Sequence, residues 1–202
     1  QTLRSLQDAD RIMARLQGGV RRAVIMGGGF IGLEMAECLA HRGVAVTLIE
    51  TLSDDNFLDQ VPRAGSNHPT TLEFFDRIGL YKKMEPRGLI APKFHYWDRQ
   101  ENKLIAEFDH ALLKNDTRFP YVLQCERIKI IEEALKMAKA HPGIEVRMAT
   151  EFLSFEQTGD GVRVKVMNAE GKNETILGSY LVSAEGARSI ARKDLEIEFE
   201  GF

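Results

Sequence analysis

VIMGGGFIGLEMAECLAHRGVAVTLIE, Val24 to Glu50, is the stretch whose reading decides the fold. Val24, Ile25 and Met26 make a short apolar strand, and three glycines follow at Gly27, Gly29 and Gly32 in G-x-G-x-x-G spacing. Ile31, Met35, Cys38 and Leu39 recur at helical spacing, with Glu34 and Glu37 off that stripe, and Gly43 closes the helix. VAVTLI is apolar on both faces, as a central parallel strand should be, and Glu50 ends it. The first glycine permits a tight turn, the second lets a diphosphate approach the backbone, and the third allows close helix–strand packing. Phe30 and Ile31 open the helix, whose N-terminal N–H groups and partial positive charge suit phosphate oxygens. Glu50 stands 18 residues beyond Gly32, near where a ribose-binding acid belongs. Strand, helix, second strand and acid are all in register, so the unit reads as a dinucleotide site. The residues leave open whether FAD or NAD(P)H fills it.

Outward from this unit, the composition excludes several classes. The chain has 202 residues, 44% hydrophobic and 28% charged, which fits one sizeable globular domain or one domain with an excursion. Net charge is −3, without long runs of one sign, so neither nucleic acid nor an anionic membrane is an expected partner. Cys38 and Cys125 lie far apart in apolar helix patterns and read as buried thiols; no C-x-x-C pair offers redox or zinc chemistry. The five histidines show no metal-binding spacing, no metal is expected, and no G-x-S-x-G elbow occurs. No signal peptide and no apolar run of about 18 residues is present, so the cytoplasm is the expected setting. The start at Gln1 rather than Met suggests a fragment or an engineered boundary.

The remaining elements predict an α/β fold: a Rossmann-like domain around a central parallel sheet, a three-stranded β-meander and the start of a second small sheet. Leu3, Leu6, Ile12, Met13 and Leu16 space a helix ahead of Gly18-Gly19. A short helix begins near Pro69, with Leu72, Phe75 and Ile78 inward and Gly79 as its stop. FHYW and KLIAEF read as two strands. A longer helix, about Glu126 to Ala140, turns Ile128, Ile131 and Leu135 inward, and IEVRM is a further strand. EFLSFEQ, VRVKVM (with Arg163 and Lys165 exposed) and ETILGSYLVSA make the meander. The expected domains are an N-terminal helical segment over 1–20, a nucleotide-binding domain over 21–86 and 114–202, and a β insertion over 87–113.

Two resemblances follow. Through TLRSLQDADRI and GGGFIGLEMAE, residues 1–50 resemble the NAD(P)H-binding domain of pyridine nucleotide-disulfide oxidoreductases and ferredoxin reductases. There the position of Glu34 lies near the nicotinamide; the residues alone equally allow an exposed helix carboxylate. Residues 57–202, roughly three-quarters of the chain, resemble the class A flavin-dependent aromatic hydroxylases acting on phenols and hydroxyphenylpropionate-like substrates. VPRAGSNHPTTLEFFDRIGL, AEFDHALLKNDTRFPYVLQCERIK and YLVSAEGARSIARKDLEIEFEGF carry that likeness in order. The break near Glu50 suggests a chimera of equivalent β-α-β units.

The second resemblance implies a cofactor, FAD, with NAD(P)H as reductant. It implies that Arg63 sits beside the flavin and its diphosphate, that Gln124 hydrogen-bonds FAD, and that AEGARS, with Glu185 and Gly186, matches the family's D-G motif near the diphosphate. A guanidinium suits phosphates because it offers paired donors and permanent charge, although a surface ion pair at Arg63 and a helix cap at Gln124 stay open. Glu185 replaces the family's aspartate, and the family's later G-D motif lies beyond the sequence. FHYW is either sheet packing or an aromatic substrate wall. The implied activity is hydroxylation of a small phenolic substrate with O2 and NAD(P)H, with no acid, base or nucleophile assigned. The rivals are an NAD(P)H-binding reductase module and a nucleotide-binding hybrid without activity. An exposed sheet edge would favour a homo-oligomer.

Overall fold

The computed structural model describes residues 6–58, 63 and 65–198. Leu3 of the predicted first helix lies outside them. The chain forms two compact units, residues 1–59 with 135–202, and residues 60–134. The predicted insertion, 87–113, lies within the second.

In the first unit, helix α1 (Leu6–Gln17) ends as predicted, where the Gly18 and Gly19 N–H groups donate back to carbonyls of the last turn and Gly19 takes a φ of 95°. Strand β1 (Arg22–Met26) is buried from Ala23 onward, helix α2 (Phe30–Ala40) follows, and strand β2 (Ala45–Ile49) lies parallel to β1 with Ile25 opposite Leu48. The buried face of α2 differs from the predicted stripe. Gly32, Leu33, Ala36 and Leu39 are buried, while Ile31 is 64% exposed and Met35 and Cys38 are half-buried. The reason is steric. A Cβ on Gly32 would stand 1.8 Å from the Gly27 carbonyl oxygen, so the helix approaches through its smallest residues, and Ile31 is turned outward. Helix α3 (Asp54–Leu58) then buries Phe57.

The second unit holds strand β3 (Ser66–Asn67), helices α4 (Pro69–Arg77) and α5 (Tyr81–Met84), and strands β4 (Leu89–Ala91), β5 (Lys93–Asp98), β6 (Lys103–Asp109) and β7 (Val122–Gln124). Strands β3, β7 and β4 pair antiparallel in that order, and β5 with β6 makes a separate hairpin. Pro69 opens α4, Leu72 and Phe75 are buried beneath it, and Gly79 at φ 78° ends it. Tyr81 is buried against Phe119, and its hydroxyl lies 2.7 Å from Glu85 Oε1 and 2.5 Å from the Tyr121 hydroxyl. On the hairpin, Tyr96 meets Phe94 and Phe108 edge-to-face and the two phenylalanine rings are tilted to each other, yet all three remain exposed.

Helix α6 (Arg127–Ala140) leads out of the second unit; Ile130, Ile131, Leu135 and Ala138 are buried, and Ile128 is only half-buried. Cys125 is buried but precedes this helix rather than lying in it. Back in the first unit come β8 (Ile144–Arg147), β9 (Glu151–Thr158), β10 (Gly161–Met167), β11 (Asn173–Gly178), β12 (Tyr180–Ser183) and the short helix α7 (Ile190–Asp194). The meander is β11-β10-β9, with Arg163 and Lys165 exposed as alternation predicts. Its inner residues Val162, Val164 and Val166 pack with Val24, Met26 and Ile49. Each such burial is worth about 1.5–3 kcal/mol relative to exposure. ETILGSYLVSA does not stay in the meander. It bends at Ser179, whose N–H donates to the Arg22 carbonyl, and β12 joins the parallel sheet in the order β12-β1-β2-β8.

Candidate functional site

The glycine turn sits where β1 ends, and three constraints shape it. Gly27 has a φ of 97°, a conformation that L side chains rarely adopt, and a Cβ there would meet the Ala184 carbonyl oxygen at 2.6 Å. Gly32 brings α2 onto the Gly27 carbonyl. Gly28 N–H donates to Glu50 Oε2 at 2.7 Å, and Leu52 N–H donates to Glu50 Oε1 at 2.9 Å. The predicted ribose acid therefore holds the turn from the end of β2. Each carboxylate oxygen retains acceptor capacity beyond one backbone donor.

Gly29 differs from its neighbours. It precedes the first residue of α2 with a φ of −65°, no side chain caps the helix there, and an added Cβ would meet nothing within 4 Å. This chain's own packing therefore does not demand glycine at 29. The space beside the α2 N-terminus is open, and backbone N–H groups at a helix start suit anionic oxygens in general. Phe30 and Ile31 open α2, and the Ile31 side chain faces solvent.

The turn meets the chain's last motif in the same unit. Ala184 N–H donates to the Met26 carbonyl at 2.8 Å, which sets Glu185 and Gly186 directly beyond the glycine turn. Gly186 takes a φ of 75°. Ala184 opens the AEGARS motif but is not singled out within it, because only the fold sets its carbonyl beside Gly27. The structure thus brings together Gly27, Gly29, Phe30, Ile31, Gly32, Glu50, Glu185 and Gly186.

Arg63 and Gln124 belong to the second unit. Arg63 is exposed, and its carbonyl accepts from Arg127 N–H at 2.9 Å. Gln124 ends β7 three residues before α6, so it does not cap that helix. It stands cross-strand from Ser66, whose hydroxyl donates to Gln124 Oε1 at 2.9 Å. With its carbonyl so held, the amide presents its N–H2 as donors. Ser66 carried no sequence signal, because only strand pairing makes it a neighbour of residue 124.

Neither cysteine offers a ready thiolate. Burial, then the nearby Glu37 charge, pushes the Cys38 thiol up, and burial does the same to Cys125, so both stay protonated at neutral pH. Glu34, half-buried on α2, is raised by desolvation and then by Glu37. Among the described residues no group of three or more His, Cys, Asp or Glu side chains stands together as a metal site, and no helix is long and apolar enough to cross a membrane.

Residues 21–202 match the family model described as FAD binding domain, a span that includes the glycine turn and Glu50. The chain is 28% identical over 179 residues to a para-nitrophenol 4-monooxygenase of Pseudomonas sp. (strain WBC-3), covering 88% of this chain and 43% of that protein. It is 33% identical over 181 residues to an uncharacterized aromatic compound monooxygenase, YhjG, of Bacillus subtilis (strain 168), covering 89% of this chain and 34% of that one. The crystal structure of p-nitrophenol 4-monooxygenase PnpA from Pseudomonas putida DLL-E4 superposes with a TM-score of 0.82 at 28% identity, covering 91% of this chain and 45% of that chain. A ternary complex of aklavinone-11 hydroxylase with FAD and aklavinone gives 0.74 at 25% identity, covering 91% and 36%. The chain spans less than half the length of these relatives.

Proposed function

The chain belongs to the FAD-binding domain family of class A flavin monooxygenases, and from that premise we propose that it forms the FAD-holding part of an enzyme hydroxylating a small phenolic ring with O2 and NAD(P)H. The observation that carries this reading is the open space at Gly29, bounded by the turn that Ala184 and Glu50 hold in place. Gly29 and the α2 N-terminus would take the diphosphate, and Glu50 the ribose hydroxyls, which a 2′-phosphate would replace with a like charge. The Glu185–Gly186 turn would close the same cradle, while Arg63 and the Gln124 amide offer donors to anionic or carbonyl oxygens. Bound flavin, reduced by NAD(P)H, would supply the activation of O2 that no side chain can provide. The reductase-like sequence before Glu50 has, on this reading, been taken over as the first unit of a flavin site.

Flavin fluorescence during FAD titration, with NADH as competitor, tests the binding claim. Saturable binding that NADH barely disturbs supports it; NADH binding with no FAD affinity overturns it in favour of a reductase-like module. NADH oxidation that rises on adding a phenol tests the activity separately.

A further inference from the structure

Glu185 has an environment unlike that of an open ligand. Its Oε2 accepts from the Ser183 hydroxyl at 2.9 Å, the Ser189 hydroxyl at 2.7 Å and Ala191 N–H at 3.3 Å, and its Oε1 accepts from Ile190 N–H at 3.2 Å. The two serine hydroxyls are 2.9 Å apart, and Ser189, a residue only 5% exposed, also accepts from Arg192 N–H at its Oγ, at 3.1 Å. A carboxylate has about four acceptor positions in all; here three donors from this chain fill Oε2 and one occupies part of Oε1. Residual negative charge on the group would also repel a diphosphate brought close.

What this arrangement controls is the path of the main chain. Residues 183, 185 and 189–191 are tied into one knot, and Gly186, at φ 75°, lies on the short 186–188 turn that the knot spans. The turn begins next to Ala184, whose carbonyl oxygen leaves no room for a Cβ at Gly27. Loosening the knot therefore frees the segment that borders the glycine turn, without removing any group from the cradle itself.

We propose that Glu185 is a positioning residue: its carboxylate fastens the 183–191 segment, and the turn acts on FAD through the main chain at Gly186, not through the Glu185 side chain. The proposal rests on the reading that the cradle holds FAD. The contacts that set the knot are Ser183 and Ser189, so the three side chains act as one unit.

Glu185→Gln keeps the size of the side chain but removes the charge and sets an amide N–H2 where two hydroxyls and two N–H groups had donated. In FAD-free protein, amide hydrogen exchange at Ile190 and Ala191 should accelerate by roughly five- to thirty-fold, the factor expected for losing a helix-capping acceptor. The FAD Kd should rise by a similar factor, and the absorption bands of the bound flavin at saturation should shift. Ser189→Ala should act in the same direction, and the double variant should fall short of the product of the two singles, because they share one unit. Ser183→Ala, at an exposed position, carries the same test if Glu185→Gln fails to fold. Weaker FAD binding with unchanged exchange at Ile190 and Ala191 would make Glu185 a direct ligand and overturn the proposal. Faster exchange with unchanged FAD affinity and spectrum would reduce it to a plain helix cap. A wild-type chain that binds no FAD would defeat the functional reading itself, and the exchange arm would still decide whether the knot exists.

Discussion

Gly29 and Gly32 belong to one motif, yet the structure separates their duties, and paired alanine substitutions expose the difference. At Gly32 an added Cβ would lie 1.8 Å from the Gly27 carbonyl oxygen, a backbone atom that cannot rotate away. Relief requires α2 to move off β1 by more than an ångström, and overpacking of that kind costs about 1–3 kcal/mol. For a domain of this size that corresponds to a fall in Tm on the order of 3–10 °C. At Gly29 a Cβ meets nothing within 4 Å and φ is −65°. Two small effects oppose each other there: alanine is less favourable than glycine just before a helix, and it reduces the freedom of the unfolded chain. Gly29→Ala should therefore leave Tm within about 2 °C of wild type. Its effect belongs to the ligand, because the methyl group enters the space assigned to the diphosphate, so the FAD Kd should rise at least tenfold. Scanning calorimetry of FAD-free protein and a fluorescence titration measure the two quantities independently. Wild-type FAD affinity in folded Gly29→Ala would refute the assignment of that space, and an unchanged Tm in Gly32→Ala would refute the steric account of how α2 docks.

Three further outcomes are expected. Glu50→Ala, which removes the acceptor for Gly28 and Leu52 N–H groups, should weaken FAD binding by roughly tenfold or more, consistent with 1–3 kcal/mol for unpaired donors, as read by the same titration. Glu34 is raised by desolvation and by Glu37, so the folded state holds its proton more tightly than the unfolded chain does. Stability then falls as pH climbs from the ordinary glutamate range through the raised value. Glu34→Gln should accordingly melt higher than wild type at pH 7 and equal it below about pH 4, the gain staying under about 1 kcal/mol because the group is half-exposed. A thiol reagent should modify half-buried Cys38 slowly and buried Cys125 only on unfolding, both thiols being raised by burial; mass spectrometry of the native protein reads this, and rapid modification of Cys125 would contradict its placement.

The sequence alone determined the β1-α2-β2 unit, the stops at Gly18-Gly19, Gly43 and Gly79, the Pro69 helix start and the alternation of β10. Each depends on neighbours a few residues away, through hydrogen-bond periodicity, side-chain direction or permitted φ, so a local pattern suffices to specify it. It also named the glycines and Glu50, because their spacing is itself the motif. Only the tertiary structure decided which face of α2 is inward, since the rotation is set by the contact between Gly32 and the Gly27 carbonyl rather than by the most apolar stripe. It likewise decided that ETILGSYLVSA divides, with β12 inserted beside β1 and Ala184 against Gly27. Residues 27 and 184 are distant in the chain, and nothing local in either segment records that they touch. The partners of Gln124 and Glu185 follow the same rule. A side chain's identity states what it can bond, and only the packing of distant segments determines which donors reach it.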